Sequence, residues 1–149
     1  MEQNRPLAHA GYLLAASLFL IPLVDAIMPL MPLRFTEERW RWSAVGQVSN
    51  LLLIPLVGIL LAIAVTTIVD DRRVRRVIGI ICAVLAVTLA IMSVSFVLDY
   101  FQVRTAVIPR LRQASAMASI TTGVKNIFYI IVLALLSRAC VTAPKTTLA

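Results

Sequence analysis

Two ionisable residues stand inside apolar stretches that are long enough to form membrane helices. Asp25 lies late in the first stretch, and Lys125 lies within the last one. An ionised side chain at the centre of a membrane helix costs roughly 2.5–3.5 kcal/mol on insertion scales, so such residues commonly mark a polar site. Together, an acid and a base could form an ion pair, or could line a path for an ion or a polar solute.

Further polar side chains fall at the same depth, whereas the other half of the apolar sequence is nearly pure Leu, Ile, Val and Ala. Gln47 and Asn50 are three residues apart and therefore share one helical face. The predicted polar cluster consists of Asp25, Gln47, Asn50, Ser93, Ser95, Lys125, Asn126 and Tyr129. Two structural alternatives remain open: a static ion pair with inter-helix hydrogen bonds, or a lysine that reaches the interface from a tilted or shorter helix.

The composition of the chain predicts the helices that must position this cluster. Hydrophobic residues make up 60% of the chain and charged residues 14%, against about 45–50% and about 25% in soluble domains. A spanning helix needs roughly 20 mostly apolar residues. Four stretches qualify, at about 10–29, 44–69, 77–97 and 117–136. We therefore expect an all-α chain, with residues 1–149 forming one four-helix transmembrane bundle of up-down-up-down topology.

The expected depths of the two charges suggest that they meet. At 1.5 Å per residue, Asp25 lies about 6 Å and Lys125 about 12 Å below the same surface. In an up-down-up-down bundle the first and fourth helices can be neighbours. A flexible lysine stem covers the difference in depth, so the sequence predicts that Asp25 approaches Lys125.

Basic and aromatic residues flank the apolar stretches. The formal charge is +7, and basic residues in this position favour anionic lipid headgroups as partners rather than nucleic acid. Tryptophans beside such stretches are typical of the interfacial aromatic belt. The predicted headgroup contacts are Arg72, Arg73, Arg75, Arg76, Trp40 and Trp42.

Orientation depends on which short loops are basic. With the N-terminus inside, the inner side holds seven Lys and Arg residues and the outer side six. The densest cluster, 72–76, decides the prediction: both termini are cytoplasmic, in a bacterial inner membrane. A competing interpretation is a signal peptide with its apolar core at Leu13–Val24 and cleavage near Ala26, which would leave three helices.

Local sequence features also predict how the helices pack. Pro22 and Pro55 each free a carbonyl one turn earlier and are expected to bend their helices. Small residues recur every four positions, at Gly58 and Ala62 and again at Ser119 and Gly123. Such spacing lets helix backbones approach closely, either within the bundle or between copies.

No sequence motif points to catalysis. The chain lacks HExxH, GxSxG, P-loop and GxGxxG patterns. Its two cysteines are 58 residues apart and its single histidine is His9, so we expect no metal, haem or other cofactor. The leading hypothesis is a non-enzymatic membrane protein that acts through lipids, another membrane protein or self-association. The alternative is a small transporter or channel that uses the polar cluster.

Overall fold

Every regular element in the described part of the chain is a helix. The computed structural model describes residues 5–106 and 112–142. Its elements are α1 (Arg5–Ile27), a short 3₁₀ turn (Met28–Leu30), α2 (Glu38–Leu51), α3 (Leu53–Val69), α4 (Arg72–Ala106) and α5 (Arg112–Thr142). The all-α prediction is confirmed over these residues.

The helices fit three or four membrane spans by length and composition. Three segments qualify alone, namely Pro6–Leu30, Arg72–Gln102 and Arg112–Thr142. Helices α2 and α3, with 14 and 17 residues, are each too short to span alone and qualify only as a pair, which is bent by 43°. Large apolar side chains are exposed on all three of the long helices and on α3, as expected of a protein whose solvent is lipid.

The predicted second helix, 44–69, is two helices that meet at Leu52. Pro55 has no backbone N–H, so the carbonyl of Leu51 loses its usual partner and the helical ladder weakens at this point. The bend expected from this proline is therefore present. Pro22 has no such break beside it, since α1 continues from Arg5 to Ile27.

Helix ends differ from the predicted boundaries. Helix α4 runs from Arg72 to Ala106 rather than 77–97, and α5 runs from Arg112 to Thr142 rather than 117–136. The apolar run predicts only the part of a helix that can lie in lipid, whereas backbone hydrogen bonding continues beyond it. The connection expected at about 98–116 is consequently mostly helical, and its Pro109 lies outside the described residues.

The turn between α3 and α4 is tight because two aspartates complete it. Asp70 adopts a left-handed conformation with φ 53° and ends α3. Asp71 Oδ1 accepts hydrogen bonds from the backbone N–H groups of Arg73 at 3.0 Å and Val74 at 3.2 Å. The carboxylate thereby caps α4.

The helices pack as two intimate pairs, α1 with α3 and α4 with α5, and α2 contacts α4 and α5. A Cβ at Gly58 would lie 2.9 Å from the Ala15 carbonyl oxygen, and a Cβ at Gly79 would lie 2.9 Å from Cys140 Cβ. Each pair thus has a glycine at a position where the two helices lie too close for a Cβ atom. The first and last helices, which can be neighbours in the predicted bundle, do not form one of these two pairs, because α1 lies mainly against α3.

Candidate intramembrane polar site

A two-pronged ion pair joins α2 to α4 at the end of the apolar part of α4. Arg41 Nε donates to Asp99 Oδ2 at 2.9 Å, and Arg41 Nη2 donates to Asp99 Oδ1 at 2.7 Å. Asp99 is only 4% exposed. Arg41 Nη1 also donates to the Phe35 carbonyl oxygen at 2.7 Å, so one guanidinium ties α2 both to α4 and to the connection before it.

The Arg41–Asp99 pair lies at one end of the uncharged, apolar part of α4, and we call this level the boundary. Between Arg76 and Asp99, α4 has 22 residues without a charge, which span about 33 Å at 1.5 Å per residue. That length matches a hydrocarbon core of about 30 Å. One turn beyond Asp99, the Gln102 amide nitrogen lies 2.8 Å from Glu38 Oε1 in its hydrogen-bonding orientation. The polar contacts between α2 and α4 therefore extend outward from the boundary.

A second polar layer joins α2 to α5 about 12 Å further along α2, by the rise over the eight residues from Arg41 to Ser49. Lys125 Nζ donates to Asn50 Oδ1 at 2.9 Å. Beside this contact, Ser49 Oγ bonds both the Val45 carbonyl oxygen, at 2.7 Å, and the Asn126 amide. Ser49 and Asn126 are both fully buried.

The Asn126 amide is not fully satisfied. Its Nδ2 atom is buried and has no hydrogen-bond partner within the described ranges. A hydroxyl carries one proton, so Ser49 can donate to only one of its two acceptors at a time. A buried amide with an unused donor distinguishes this layer from the surrounding Leu, Ile and Val.

Asp25 does not join this layer. Its side chain is exposed and makes no hydrogen bond or ion pair with the described residues. Lys125 instead has Asn50 as its partner. The structure therefore does not form the predicted Asp25–Lys125 pair, and it leaves the carboxylate on the outer face of α1 among exposed Ile21, Val24 and Met28.

The other predicted cluster residues divide among three environments. Gln47 is exposed. Ser93 and Ser95 bond within α4, to the carbonyl oxygens of Leu89 at 2.7 Å and Ile91 at 3.2 Å. Tyr129 is 7% exposed and belongs to the apolar core. Three of the eight predicted residues form side-chain hydrogen bonds to another helix, namely Asn50, Lys125 and Asn126.

The two tryptophans lie beside the boundary ion pair. Trp40 Nε1 donates to the Leu30 carbonyl oxygen at 3.1 Å, and its ring meets Phe35 edge-on at 5.2 Å. Trp42 stacks on Phe96 with ring centroids 6.0 Å apart. At the other end of α4, Arg75 is half-buried. The arginines at 72, 73 and 76 are exposed.

A narrow cavity lies below the second polar layer. Its volume is about 30 Å³, and it is lined by Phe19, Leu23, Leu52, Pro55, Leu56, Ile59, Leu85, Tyr129 and Leu133. That volume is on the scale of one water molecule. Asp25 does not line it. In the ranges 5–106 and 112–142, no three His, Cys, Asp or Glu side chains form a group that could hold a metal ion.

Sequence reasoning missed three members of these layers: Arg41, Ser49 and Asp99. Asp99 carried a usable signal, because it is the first charge after the long apolar run of α4. The predicted topology put Arg41 on the same side of the membrane, so an ion pair could have been proposed. Comparison with known proteins gives no family: no family model, curated protein or solved structure matches this chain.

Proposed function

We propose that this chain is a four-span protein of a bacterial inner membrane, with both termini cytoplasmic, that acts without catalysis through a partner in the membrane. In this proposal α2 and α3 together form the second span. Support for that span comes from the polar contacts at its start, where Arg41 meets Asp99, and from the basic turn at its end, where α4 begins with four arginines.

The observation that carries the partner hypothesis is the position of Asp25. The carboxylate is exposed on α1, and apolar residues continue for eight positions after it, up to Leu33. An ionised group in this setting is costly when it faces lipid. A transmembrane helix that offers a basic or hydrogen-bond-donating side chain would complement it. Because α1 packs mainly on α3, its exposed face around Asp25 is available for such a helix.

Photo-crosslinking tests this hypothesis in intact membranes. A photoreactive residue at Ile21 or Met28, on the same side of α1 as Asp25, should give a discrete protein adduct. The adduct should weaken strongly in the Asp25→Asn variant, because the charge complementarity is removed. The same probe at Val84, an exposed residue of α4, is the matched control.

Two results would count against the partner hypothesis. Adducts with lipid alone at Ile21 and Met28 would mean that no protein covers this face. A protein adduct of equal intensity in the Asp25→Asn variant would mean that the carboxylate does not recognise the partner. An adduct of twice the mass of the chain would identify the partner as a second copy.

A second candidate function is transport through the polar layer around Lys125. It is favoured by one observation, the buried and incompletely bonded Asn126 amide next to the lysine. This transport hypothesis does not include Asp25, because Asp25 lies on the exposed face of α1. Proteoliposomes that contain a pH-sensitive dye would reveal a proton flux, and Lys125→Met should abolish it if the lysine lies on the path. Equal fluxes in the two proteins would exclude this route for protons.

A further inference from the structure

The surface of the described helices carries a second group of polar side chains at membrane depth, besides Asp25. Gln47 and Asn50 are exposed on α2 and share one of its faces, because they are three residues apart. Lys125 of α5 is partly exposed and donates to Asn50 Oδ1 at 2.9 Å. We call these three residues the α2–α5 polar patch. The patch carries a positive charge, whereas Asp25 on α1 carries a negative one.

Asp25 and the patch each have hydrogen-bonding capacity beyond the contacts they make within the described residues. The ammonium group of Lys125 has three N–H donors, and Asn50 accepts one of them. The amide of Gln47 has two more donors, whereas the Asp25 carboxylate offers only acceptors. Charged groups that face lipid are costly, so each surface offers what the other lacks.

Asp25 and the patch also lie at similar depths. Trp40 Nε1 donates to the Leu30 carbonyl oxygen, so the chain that follows α1 meets α2 beside the boundary. Asp25 is five residues before Leu30 and therefore lies about 8 Å inside this level, at 1.5 Å per residue. By the same rise, Gln47 lies about 9 Å inside it. The lysine of the patch lies about one turn deeper, and its flexible side chain can extend toward the boundary.

A glycine beside the patch leaves room for another helix. Gly46 precedes Gln47 and lies one turn before Asn50 on the same face of α2. Apart from its neighbours along α2, no atom of the described chain lies within 4 Å of the position that a Gly46 Cβ would occupy. Packing inside the bundle therefore does not require a glycine here, in contrast to Gly58. A small residue on an open face lets a helix of another molecule approach closely.

We propose that the partner of Asp25 is a second copy of this chain, whose α2–α5 polar patch receives the carboxylate. Asp25 of one copy pairs with the Lys125 ammonium group of the other, and the Gln47 amide donates a further hydrogen bond. Copies inserted in the same orientation carry both groups at the same level of the membrane, so the two surfaces match in depth as well as in charge. This inference rests on the proposed function, in which a membrane partner covers Asp25, and it identifies that partner.

Charge exchange between differently tagged copies of the full-length chain tests this pairing. Two tagged forms are co-expressed and purified through one tag in mild detergent. Asp25→Lys and Lys125→Asp should each co-purify with themselves roughly tenfold less than the wild-type chain, because one hydrogen bond to a charged group is worth at least this factor. An Asp25→Lys chain mixed with a Lys125→Asp chain should recover, since every contact between them again joins an acid to a base.

Circular dichroism checks that each variant is folded. Folded variants that co-purify with themselves as well as the wild-type chain does would overturn the proposal, and so would a folded mixture that does not recover. The photo-crosslink at Ile21 separates this failure from failure of the proposed function. A discrete protein adduct of any mass other than twice that of the chain would overturn the second copy and leave the partner hypothesis intact, whereas adducts with lipid alone would contradict both.

A change of shape tests the same surface without changing a charge. Gly46→Leu should lower co-purification severalfold, because its side chain fills the open space beside the patch while Lys125 keeps Asn50 as its partner. Gly123 of α5 also has open space at its Cβ position, but it is two residues from Lys125 and therefore lies on the opposite side of that helix. Gly123→Leu is the matched control and should leave co-purification unchanged. If either charge variant does not fold, equal co-purification in Gly46→Leu and Gly123→Leu would overturn the proposal.

Discussion

The Arg41–Asp99 pair is the strongest single polar contact between helices in the described part of the chain. Both guanidinium bonds are within 2.9 Å, and the carboxylate side chain is 6% exposed. Two parallel bonds to a carboxylate fix its direction as well as its distance. The pair therefore sets how far along α4 the start of α2 lies.

Replacing Asp99 with Asn should destabilise the bundle. Hydrogen bonds to a charged group contribute about 1.5–3 kcal/mol, and 1 kcal/mol changes the unfolding temperature of a protein of this size by about 2–4 °C. The midpoint of thermal unfolding in detergent should thus fall by about 3–12 °C. Arg41→Gln together with Asp99→Asn should cost less than the sum of the single changes.

The exposed ion pair Arg34–Glu37, with N–O distance 3.1 Å, provides the control for this prediction. Surface pairs of this kind contribute about 0–1 kcal/mol, so Glu37→Gln should shift the midpoint by less than Asp99→Asn. A strictly additive double variant, or an equal shift in the control, would show that the Arg41–Asp99 contact does not couple α2 to α4.

At the scale of residues, the sequence predicts how deep a residue lies along its helix, but it does not predict which way the side chain points. The rise per residue placed Asn50, Lys125 and Asn126 in one half of the bundle, and these residues do meet across helices. The same reasoning placed Asp25 there too. Its carboxylate nevertheless points outward, because the rotation of α1 is determined by packing on α3, and nothing in the depth of a residue reports that rotation.

At the scale of elements, glycines determine which helices can approach closely. Gly58 lies where α3 meets α1, and a Cβ there would be 2.9 Å from the Ala15 carbonyl oxygen and 3.1 Å from Leu18 Cβ. Gly123 of α5 has no atom within 4 Å of the corresponding position. The small-residue spacing was visible in both helices, but only Gly58 is at a close contact.

Alanine substitutions separate these two roles. Gly58→Ala should cost about 1–3 kcal/mol, as expected when a methyl group is forced into a packed contact. Gly123→Ala should be neutral or stabilising by up to about 1 kcal/mol, because alanine is the better helix former. Chemical unfolding in mixed micelles measures both. Equal costs would contradict the α1–α3 contact, and a large cost at Gly123 alone would indicate an interface between copies.

The sequence predicted which segments form helices, but it predicted only part of where those helices end or break. Apolar runs of about 20 residues located all the long helices, since lipid leaves backbone groups no other way to form hydrogen bonds. Pro55 predicted a bend. It did not predict that the helix would divide at Leu52 into α2 and α3, because the extent of a break depends on the neighbouring helices that hold each half.

At the scale of the whole molecule, the helix order around the bundle could not be derived from the sequence. Apolar faces of similar composition allow several arrangements. The observed one, α1 on α3 and α4 on α5, depends on where glycines and polar pairs coincide in space.

We propose that the bent pair α2–α3 crosses the membrane and that both termini are cytoplasmic. Thr36 precedes this pair and Arg73 follows it, and both are exposed. Single cysteines at these two positions, in a protein whose buried Cys82 and Cys140 are replaced by alanine, can be labelled with an impermeant maleimide. In intact cells Thr36→Cys should react, whereas Arg73→Cys should react only after the membrane is opened. Labelling of both positions from the same side would contradict a fourth span, and labelling of Arg73→Cys alone would reverse the orientation.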